Sequence, residues 1–383
     1  MTDQHFMRVA LDLAHSVEGR TSPRPSVGAV IVREDTIIGR GATSPPYGPH
    51  AEIHALHEAG ALANGADLYT TLEPCCVTIH TPPCTQAIIR AGIRRVIIAT
   101  SDPNPLVCEQ GAAQLRAAGI IVITGIEEAE AQELIKPFAT LLAKKRPYIT
   151  AKWAMTLDGK LATRTGDAYW ISGEVSRLWV HNLRDRVDAI LVGSGTIQQD
   201  NPQLTVRLTD PQRSYQRTTR SGPLSIILST HGQLPLNSKL LQPELVQKTW
   251  VIVGETCSSE QHTMLQATGA QVLSVAVNSA GQIDLGKVLH LLGERGVMHV
   301  LLEGGGKLLG TALDLGLIDH VAAFIAPKLI GGQAAPSPIG GIGLSSMRDA
   351  HSLKNIHTQF FEQDILIEGD LVTSDLSERT LYG

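Results

Sequence analysis

Four residues in the first hundred positions have the types and spacing for metal chemistry: His50, Glu52, Cys75 and Cys84. One imidazole and two thiolates form a zinc ligand set that leaves a fourth position for water, the mark of a catalytic rather than a structural site. Zinc lowers the pKa of that water toward neutrality, making hydroxide available to attack an amidine-type ring carbon. Glu52 stands two positions from His50, where it can take the water's proton and return it to departing ammonia. A lone His-x-Glu would carry little weight. Its conjunction with Pro74-Cys75 and with a second cysteine nine positions later points to hydrolytic deamination. His54 does not turn the pattern into a metalloprotease pair, because Ala51 stands where that motif requires glutamate. Of the five cysteines, Cys76 points away from the metal, and Cys108 and Cys257 read as small buried thiols. The odd count argues against a disulfide framework.

The second half carries two glycine-rich turns suited to phosphate. Val192-Gly193-Ser194-Gly195-Thr196 follows one apolar run, and Leu302-Glu303-Gly304-Gly305-Gly306-Lys307 follows another and precedes a helical stretch. Glycine there lets backbone N–H groups and a helix N-terminus approach an anion. Neither turn matches Gly-x-Gly-x-x-Gly, so a Rossmann reading is poor. By spacing alone, each turn is as compatible with close packing as with ligand binding, and Arg184 and Arg207 carry no assignment.

Elements must hold these groups in place. Periodicity predicts a helix over 3–18, with Phe6, Val9, Ala10, Leu13, Ala14 and Val17 on one face. An extended pair over 27–32 and 36–40 flanks the polar turn Arg33-Glu34-Asp35. A helix over 51–62 begins just after His50, and a strand over 68–72 leads to Cys75. Cys84 opens a helix over 84–91, a favoured place for a thiolate because the helix dipole lowers its pKa. A strand over 95–99, a helix over 111–118, a strand over 120–124 and a helical stretch over 127–142 complete a sheet sandwiched by helices. Lys144-Lys145-Arg146-Pro147 breaks the pattern and predicts a boundary between domains 1–146 and 147–383. Strands follow at 148–155, 189–192, 224–228, 249–253 and 298–302, and 209–222 reads as a polar surface loop. The α/β pattern continues to near residue 370.

The composition sets limits on function. With 383 residues, 43% of them hydrophobic and 18% charged, the chain suits about two globular domains rather than a disordered one. A net charge of -5 offers no basic footprint for nucleic acid. No apolar run reaches the ~18 residues of a membrane span, and Met1–His5 lacks the basic and apolar regions of a secretory signal. The expectation is a soluble cytoplasmic protein with a small-molecule substrate, and neither a nucleic-acid nor a membrane partner.

Thr71-Leu72-Glu73-Pro74-Cys75, Thr81-Pro82-Pro83-Cys84 and Pro49-His50-Ala51-Glu52 together resemble the riboflavin-biosynthesis branch of the cytidine-deaminase-like zinc enzymes. The eight residues between the cysteines separate it from deaminases with a Cys-x-x-Cys pair. Ser101-Asp102-Pro103-Asn104-Pro105 is similar to the same family. Lys152–Ala162, Trp170-Ile171-Ser172, His181–Arg184, Asp188–Thr196, Asp200–Arg207 and Glu303–Gly306 resemble the reductase domain fused to that deaminase. The resemblance therefore extends to the bifunctional riboflavin-biosynthesis deaminase/reductase family. It implies an N-terminal cytidine-deaminase-like αβα domain and a C-terminal dihydrofolate-reductase-like α/β domain. It also implies zinc on His50, Cys75 and Cys84, Glu52 as catalytic acid/base, NADPH as hydride donor and a homo-oligomer. Its substrate would be a phosphorylated ribosylaminopyrimidine, deaminated first and then reduced from ribosyl to ribityl. By the same resemblance, Ala154, Trp170, Thr196, Asp200, Ser229, Gly305 and Gly306 would border NADPH. Lys152, Arg184, Leu204, Arg207 and Glu303 would border substrate, arginine suiting phosphate through its planar fork.

The sequence departs from the family around the deaminase pocket. Arg24-Pro25-Ser26-Val27-Gly28 replaces Asn-Pro-Asn-Val-Gly, Thr43 replaces a histidine, and Val77-Thr78-Ile79-His80 replaces a His-x-Gly-Arg or His-x-Gly-Lys run. Cys108-Glu109 stands for Ala-Gly, and Ala168 for a substrate-side serine in the reductase. Arg24 and His80 are candidates to restore a phosphate contact from new positions. Three readings stay open on the sequence: a working bifunctional enzyme, a reductase whose deaminase half takes another aminopyrimidine or aminopurine, and a deaminase half kept as a structural or dimerisation module.

Overall fold

The computed structural model describes residues 2–78, 82–217 and 222–372. The chain divides into two compact units. One comprises Met1–Arg146 with Arg213–Ser221 and Gly296–Met298; the other comprises Pro147–Gln212, Gly222–Arg295 and His299–Gly383.

In the first unit the elements run α1 (Asp3–His15), β1 (Gly28–Arg33), β2 (Thr36–Ala42), α2 (Ala51–Ala59), β3 (Asp67–Leu72), α3 (Cys84–Arg90), β4 (Arg95–Thr100), α4 (Gln110–Ala117), β5 (Ile121–Thr124) and α5 (Glu128–Lys144). The strands form one sheet in the order β2-β1-β3-β4-β5. β1 pairs antiparallel with β2 and β3, while β3, β4 and β5 run parallel. Side-chain alternation builds a core on each face. Val30, Tyr69 and Ile97 pack with Phe6 and Leu11 of α1 and Leu134 of α5. Ile31, Leu68 and Ile98 pack with Ala55 of α2, Ile88 of α3 and Leu115 of α4. Both faces of β1, β3 and β4 are covered, so these three strands are buried almost along their whole length. The β1–β2 turn places Glu34 and Asp35 at φ of 50° and 57°, the left-handed pair that matches the twist of a two-residue hairpin. α2 stops at Ala59, short of the predicted 62, because Gly60 takes φ of 53° and the chain continues as a 3-10 turn over Gly60–Ala63.

The second unit contains β6 (Tyr148–Thr156), α6 (Glu174–Arg184), β7 (Ala189–Gly193), α7 (Ser194–Asp200), β8 (Leu224–Leu228), β9 (Thr249–Gly254), α8 (Ser259–Ala267), β10 (Gln271–Val275), α9 (Leu285–Glu294), β11 (His299–Leu302), α10 (Gly306–Asp314), β12 (His320–Ala326), β13 (Leu353–Phe361) and β14 (Asp364–Leu371). Its sheet has the order β10-β9-β8-β7-β11-β6-β12-β14-β13. The first seven strands in that order run parallel, and β14 and β13 close the edge antiparallel. β13 was not expected from sequence; its residues are exposed on both faces, so no hydrophobic alternation announces it. The sheet brings the carboxyl ends of β8, β7 and β11 side by side, the place where open parallel sheets bind ligands.

Candidate active sites

His50 is the N-cap residue of α2, and its ring makes no capping hydrogen bond. It turns instead toward two sulfurs: Nδ1 lies 3.5 Å from Cys75 Sγ and 3.2 Å from Cys84 Sγ. All three ligand atoms lie within 4.8 Å of one another. Zn–S bonds of ~2.3 Å and Zn–N bonds of ~2.0 Å in a tetrahedron separate neighbouring ligand atoms by about 3.5–3.8 Å, so the cluster fits zinc. Each ligand comes from the end of an element. Cys75 follows β3 by three residues, and Cys84 is the first residue of α3.

The start of α3 also serves Cys75: the Cys84 N–H donates to Cys75 Sγ at 3.3 Å. A hydrogen bond from the Cys84 thiol, and then one from His50, push Cys75 down to about 4 against the opposing effect of its burial. That same sulfur–sulfur bond and burial push Cys84 up.

Glu52, in the first turn of α2, is 4% exposed. Burial pushes its carboxyl up to about 7, against the pull of His50. A carboxyl with that pKa exchanges protons readily at neutral pH. His50, Glu52 and Cys75 open onto a cavity of about 300 Å³ whose wall also includes Arg24, Thr43, Leu72, Val77 and Asp102. Asp102 is pushed up to about 6, chiefly by burial, and its Oδ1 accepts from the Asn104 N–H at 2.8 Å.

Spacing gave no hint of what Glu73 does. Its buried carboxylate accepts backbone N–H groups of Asp102 at 3.3 Å, Glu109 at 2.9 Å and Ala112 at 3.0 Å. This ties the 102–112 segment to the strand end that leads to Cys75. The available signal was a charged residue at the end of a strand buried along its whole length.

The other expectations around this site resolve individually. His54 Nε2 contacts Ser44 Oγ at 2.7 Å and takes no part in the ligand cluster. Cys76 is buried, with its Sγ 3.8 Å from the Leu106 carbonyl. Cys108 is exposed and Cys257 is half-buried, so neither is the buried thiol expected; Cys108 lies on the turn before α4, outside both core layers. Thr43 is buried and spends its hydroxyl on the Val27 N–H at 3.1 Å. His80 lies outside the described residues.

In the second unit, Arg184 at the end of α6 grips Glu303, just past β11, through two bonds: Nε to Oε1 at 2.6 Å and Nη2 to Oε2 at 2.5 Å. Burial opposes both charges and the pairing outweighs it, holding Glu303 below the carboxylate range and Arg184 above the ordinary guanidinium value. Burial holds the Lys152 ammonium below its usual range, with Glu303 opposing and Arg184 reinforcing. His181, one turn before Arg184, is pushed down to about 4 by burial and then by Arg184 and Arg207, so its imidazole is neutral. A cavity of about 700 Å³ gathers Lys152, Ala154, Trp170, Arg184 and Arg207, with Ala168 on its wall.

The remaining expected residues lie elsewhere in this unit. Thr196 in α7, Ser229 after β8 and Gly305 before α10 stand at the carboxyl ends of adjacent strands. A Cβ on Gly305, whose φ is 40°, would meet Thr196 Oγ1 at 3.6 Å. Asp200 is the last residue of α7. Gly306 has a packing reason, since a Cβ there would lie 2.8 Å from the Ser337 carbonyl oxygen. Leu204 is 4% exposed and packs in the core cluster of this unit.

A family described as the cytidine and deoxycytidylate deaminase zinc-binding region matches residues 1–100, and one described as the RibD C-terminal domain matches residues 147–367. The riboflavin biosynthesis protein RibD of Aquifex aeolicus is 41% identical over 365 residues, which cover 95% of this chain and 97% of that one. The chain belongs to the RibD family. RibD of Escherichia coli is 35% identical over 339 residues, covering 87% and 90% of the two chains. Among solved structures, Acinetobacter baumannii RibD matches with a TM-score of 0.83 at 33% identity, covering 97% of this chain and 99% of that one. A Thermotoga maritima protein titled diaminohydroxyphosphoribosylaminopyrimidine deaminase/5-amino-6-(5-phosphoribosylamino)uracil reductase matches at 0.79 and 34%, covering 96% and 98%.

The RibD fold is thus a cytidine-deaminase-like domain followed by a dihydrofolate-reductase-like domain, as the motifs implied. The chain is a bifunctional deaminase/reductase of riboflavin biosynthesis, and RibD membership implies a metal and a nucleotide cofactor. No observation favours a deaminase half retargeted to another ring or kept only as a structural module. Among the described residues, no helix is long and apolar enough to cross a membrane.

Proposed function

We propose that the first unit deaminates diaminohydroxyphosphoribosylaminopyrimidine and that the second reduces the product's ribosyl group to ribityl with NADPH. The module boundaries would follow 1–146 and 147–383. The observation that carries the first step is the convergence of His50 Nδ1, Cys75 Sγ and Cys84 Sγ beside the buried Glu52. Zinc held by these three would supply Lewis-acid activation of water at neutral pH. Glu52 accepts the proton that water loses and delivers it to the leaving amine, so that ammonia departs and oxygen takes its place on the ring. The apolar wall formed by Leu72, Val77 and Val107 keeps bulk water from the reacting edge.

For the second step, Lys152, Arg184, Arg207 and Glu303 would hold the phosphorylated sugar, with Leu204 bordering it. Ala154, Trp170, Thr196, Asp200, Ser229, Gly305 and Gly306 would border the cofactor, and the starts of α7 and α10 offer N–H groups to its phosphates. NADPH would supply the hydride to the ribosyl C1 as the bond from C1 to the sugar-ring oxygen opens and that oxygen takes a proton from solvent, and the residues would orient the sugar and screen its charge. The two carboxylate oxygens of Glu303 keep the Arg184 guanidinium fixed at the cavity wall. The protein would work as a homo-oligomer in the cytoplasm.

The test follows the two half-reactions separately. Zinc-loaded protein with the diamino substrate should release ammonia, and NADPH oxidation should follow only after deamination. Glu52→Gln should lower ammonia release by about 10²–10⁴-fold and leave NADPH oxidation on pre-deaminated substrate intact. Oxidation without any ammonia release from the native protein would refute the deaminase assignment.

A further inference from the structure

Arg207 sits where the chain gives it little support. Between α7 and a 3-10 turn at Asp210–Gln212, residues 201–209 form no helix or strand, and Arg207 is exposed. Fixing a long cationic side chain in such a segment costs rotamer entropy, so a ligand site there needs something to hold it. The hold comes from α6. Arg184 Nη1 donates to the Thr205 carbonyl at 3.3 Å, and one turn earlier His181 Nδ1 accepts the Arg207 N–H at 3.3 Å. Two side chains of one helix thus take a C=O and an N–H two residues apart, as a neighbouring strand would. The same imidazole reaches the side chain of Arg207, with Nε2 3.5 Å from Nη2. An imidazole accepts a bond only through an unprotonated nitrogen, and burial, then Arg184 and Arg207, keep this ring neutral. Unlike Arg184, Arg207 has no carboxylate partner among the described residues, so its charge is left for an anion. Both His181 and Arg207 line the cavity of about 700 Å³.

We propose that His181 is a positioning residue for the reductase reaction, holding Arg207 where its guanidinium meets the phosphate of the ribosyl substrate. The inference rests on the reading above, in which Arg207 holds the phosphorylated sugar, and adds what holds Arg207. His181 acts through main chain and side chain of one residue, so its loss frees that residue without removing any group from the substrate.

The experiment is a double-mutant cycle on the full chain, with His181→Phe and Arg207→Ala, using NADPH and the pre-deaminated substrate with and without its phosphate. Arg207→Ala should raise KM for the phosphorylated form about tenfold or more and leave the dephosphorylated form within about twofold. His181→Phe should raise KM for the phosphorylated form about three- to tenfold, with kcat within about twofold, because uniform binding is lost. Added to Arg207→Ala, it should cost less than about twofold more. His181→Asn places an amide oxygen near the position of Nδ1 and should recover most of the loss. Hydrogen exchange over 204–208 reads the hold without turnover: His181→Phe should speed it and His181→Asn should leave it near native. A full His181→Phe effect in the Arg207→Ala background would overturn the inference, since the imidazole would then act on substrate directly. A native KM in His181→Phe beside an impaired Arg207→Ala overturns it too, and leaves Arg207 as a substrate residue. A native KM in Arg207→Ala rejects that reading and the inference with it. Unchanged exchange over 204–208 in His181→Phe rejects the hold whatever the protein reduces.

Discussion

Gly41 meets Ala51 backbone to backbone: a Cβ on Gly41 would lie 2.0 Å from the Ala51 carbonyl oxygen and 2.8 Å from the Ala55 nitrogen. Ala51 stands between His50 and Glu52, so this contact sets how close the metal-binding end of α2 sits to the sheet. Gly41→Ala should displace that helix and destabilise the first unit by about 1–3 kcal/mol. Urea unfolding together with zinc per chain checks this; unchanged stability and full zinc retention would show that the helix position is not set here.

The Arg184–Glu303 pair is buried, with side-chain exposures of 14% and 8%. Removing only the cation leaves a buried carboxylate unpaired, so Arg184→Ala should cost about 3–5 kcal/mol. A double replacement, Arg184→Met with Glu303→Leu, should recover most of that stability while reductase turnover stays lost. Equal destabilisation by the single and double variants would contradict this account.

His320 lies between acids, with Nδ1 3.0 Å from Asp370 Oδ1 and Nε2 3.8 Å from Glu368 Oε1. Burial alone would lower its pKa, but the two carboxylates outweigh it and raise it in the fold. The protonated form is thus favoured by folding. Its stabilisation is complete below the unfolded histidine's pKa of ~6.5 and fades as pH rises through the higher folded value. His320→Gln should therefore destabilise the second unit more at pH 6 than at pH 9. The reverse order in denaturant melts would dismiss the ion-pair explanation.

Metal removal should act locally. A chelator should lower the melting temperature of the first unit, because an ion that binds only the folded state stabilises it by mass action. Readdition of zinc should reverse the shift, and Cys75→Ser should abolish it. Calorimetry of the full chain provides the check, with NADPH oxidation on pre-deaminated substrate expected to persist throughout.

Much of the zinc centre was legible because its ligands sit at element ends that leave local marks: Pro49 before His50, Pro74 before Cys75, Pro82-Pro83 before Cys84. The alternating strands and helices of the first unit were legible for the same reason, with errors of a few residues where Gly60 and similar turns intervene. The bond from the Cys84 N–H to Cys75 Sγ was not, because no spacing encodes a through-space contact. The burial of Leu204, 4% exposed, was likewise unannounced, since a motif position says nothing of what packs around it. The β13–β14 hairpin stayed hidden because β13 has no buried face to impose a period of two.

The grip of Glu73 has one further consequence. Its carboxylate holds main-chain amides and no side chain of the 102–112 segment. Those amides do not depend on the side chains beside them, but Gly111 in the same stretch must stay without one, since a Cβ there would lie 2.2 Å from the Pro74 carbonyl oxygen. Cys108 and Glu109 are exposed on this stretch, and Glu109 holds φ of 61°. Glu73 thus couples the stretch that carries Asp102, Asn104 and Val107 in the cavity wall to the strand end that leads to Cys75, so a shift of either moves the other.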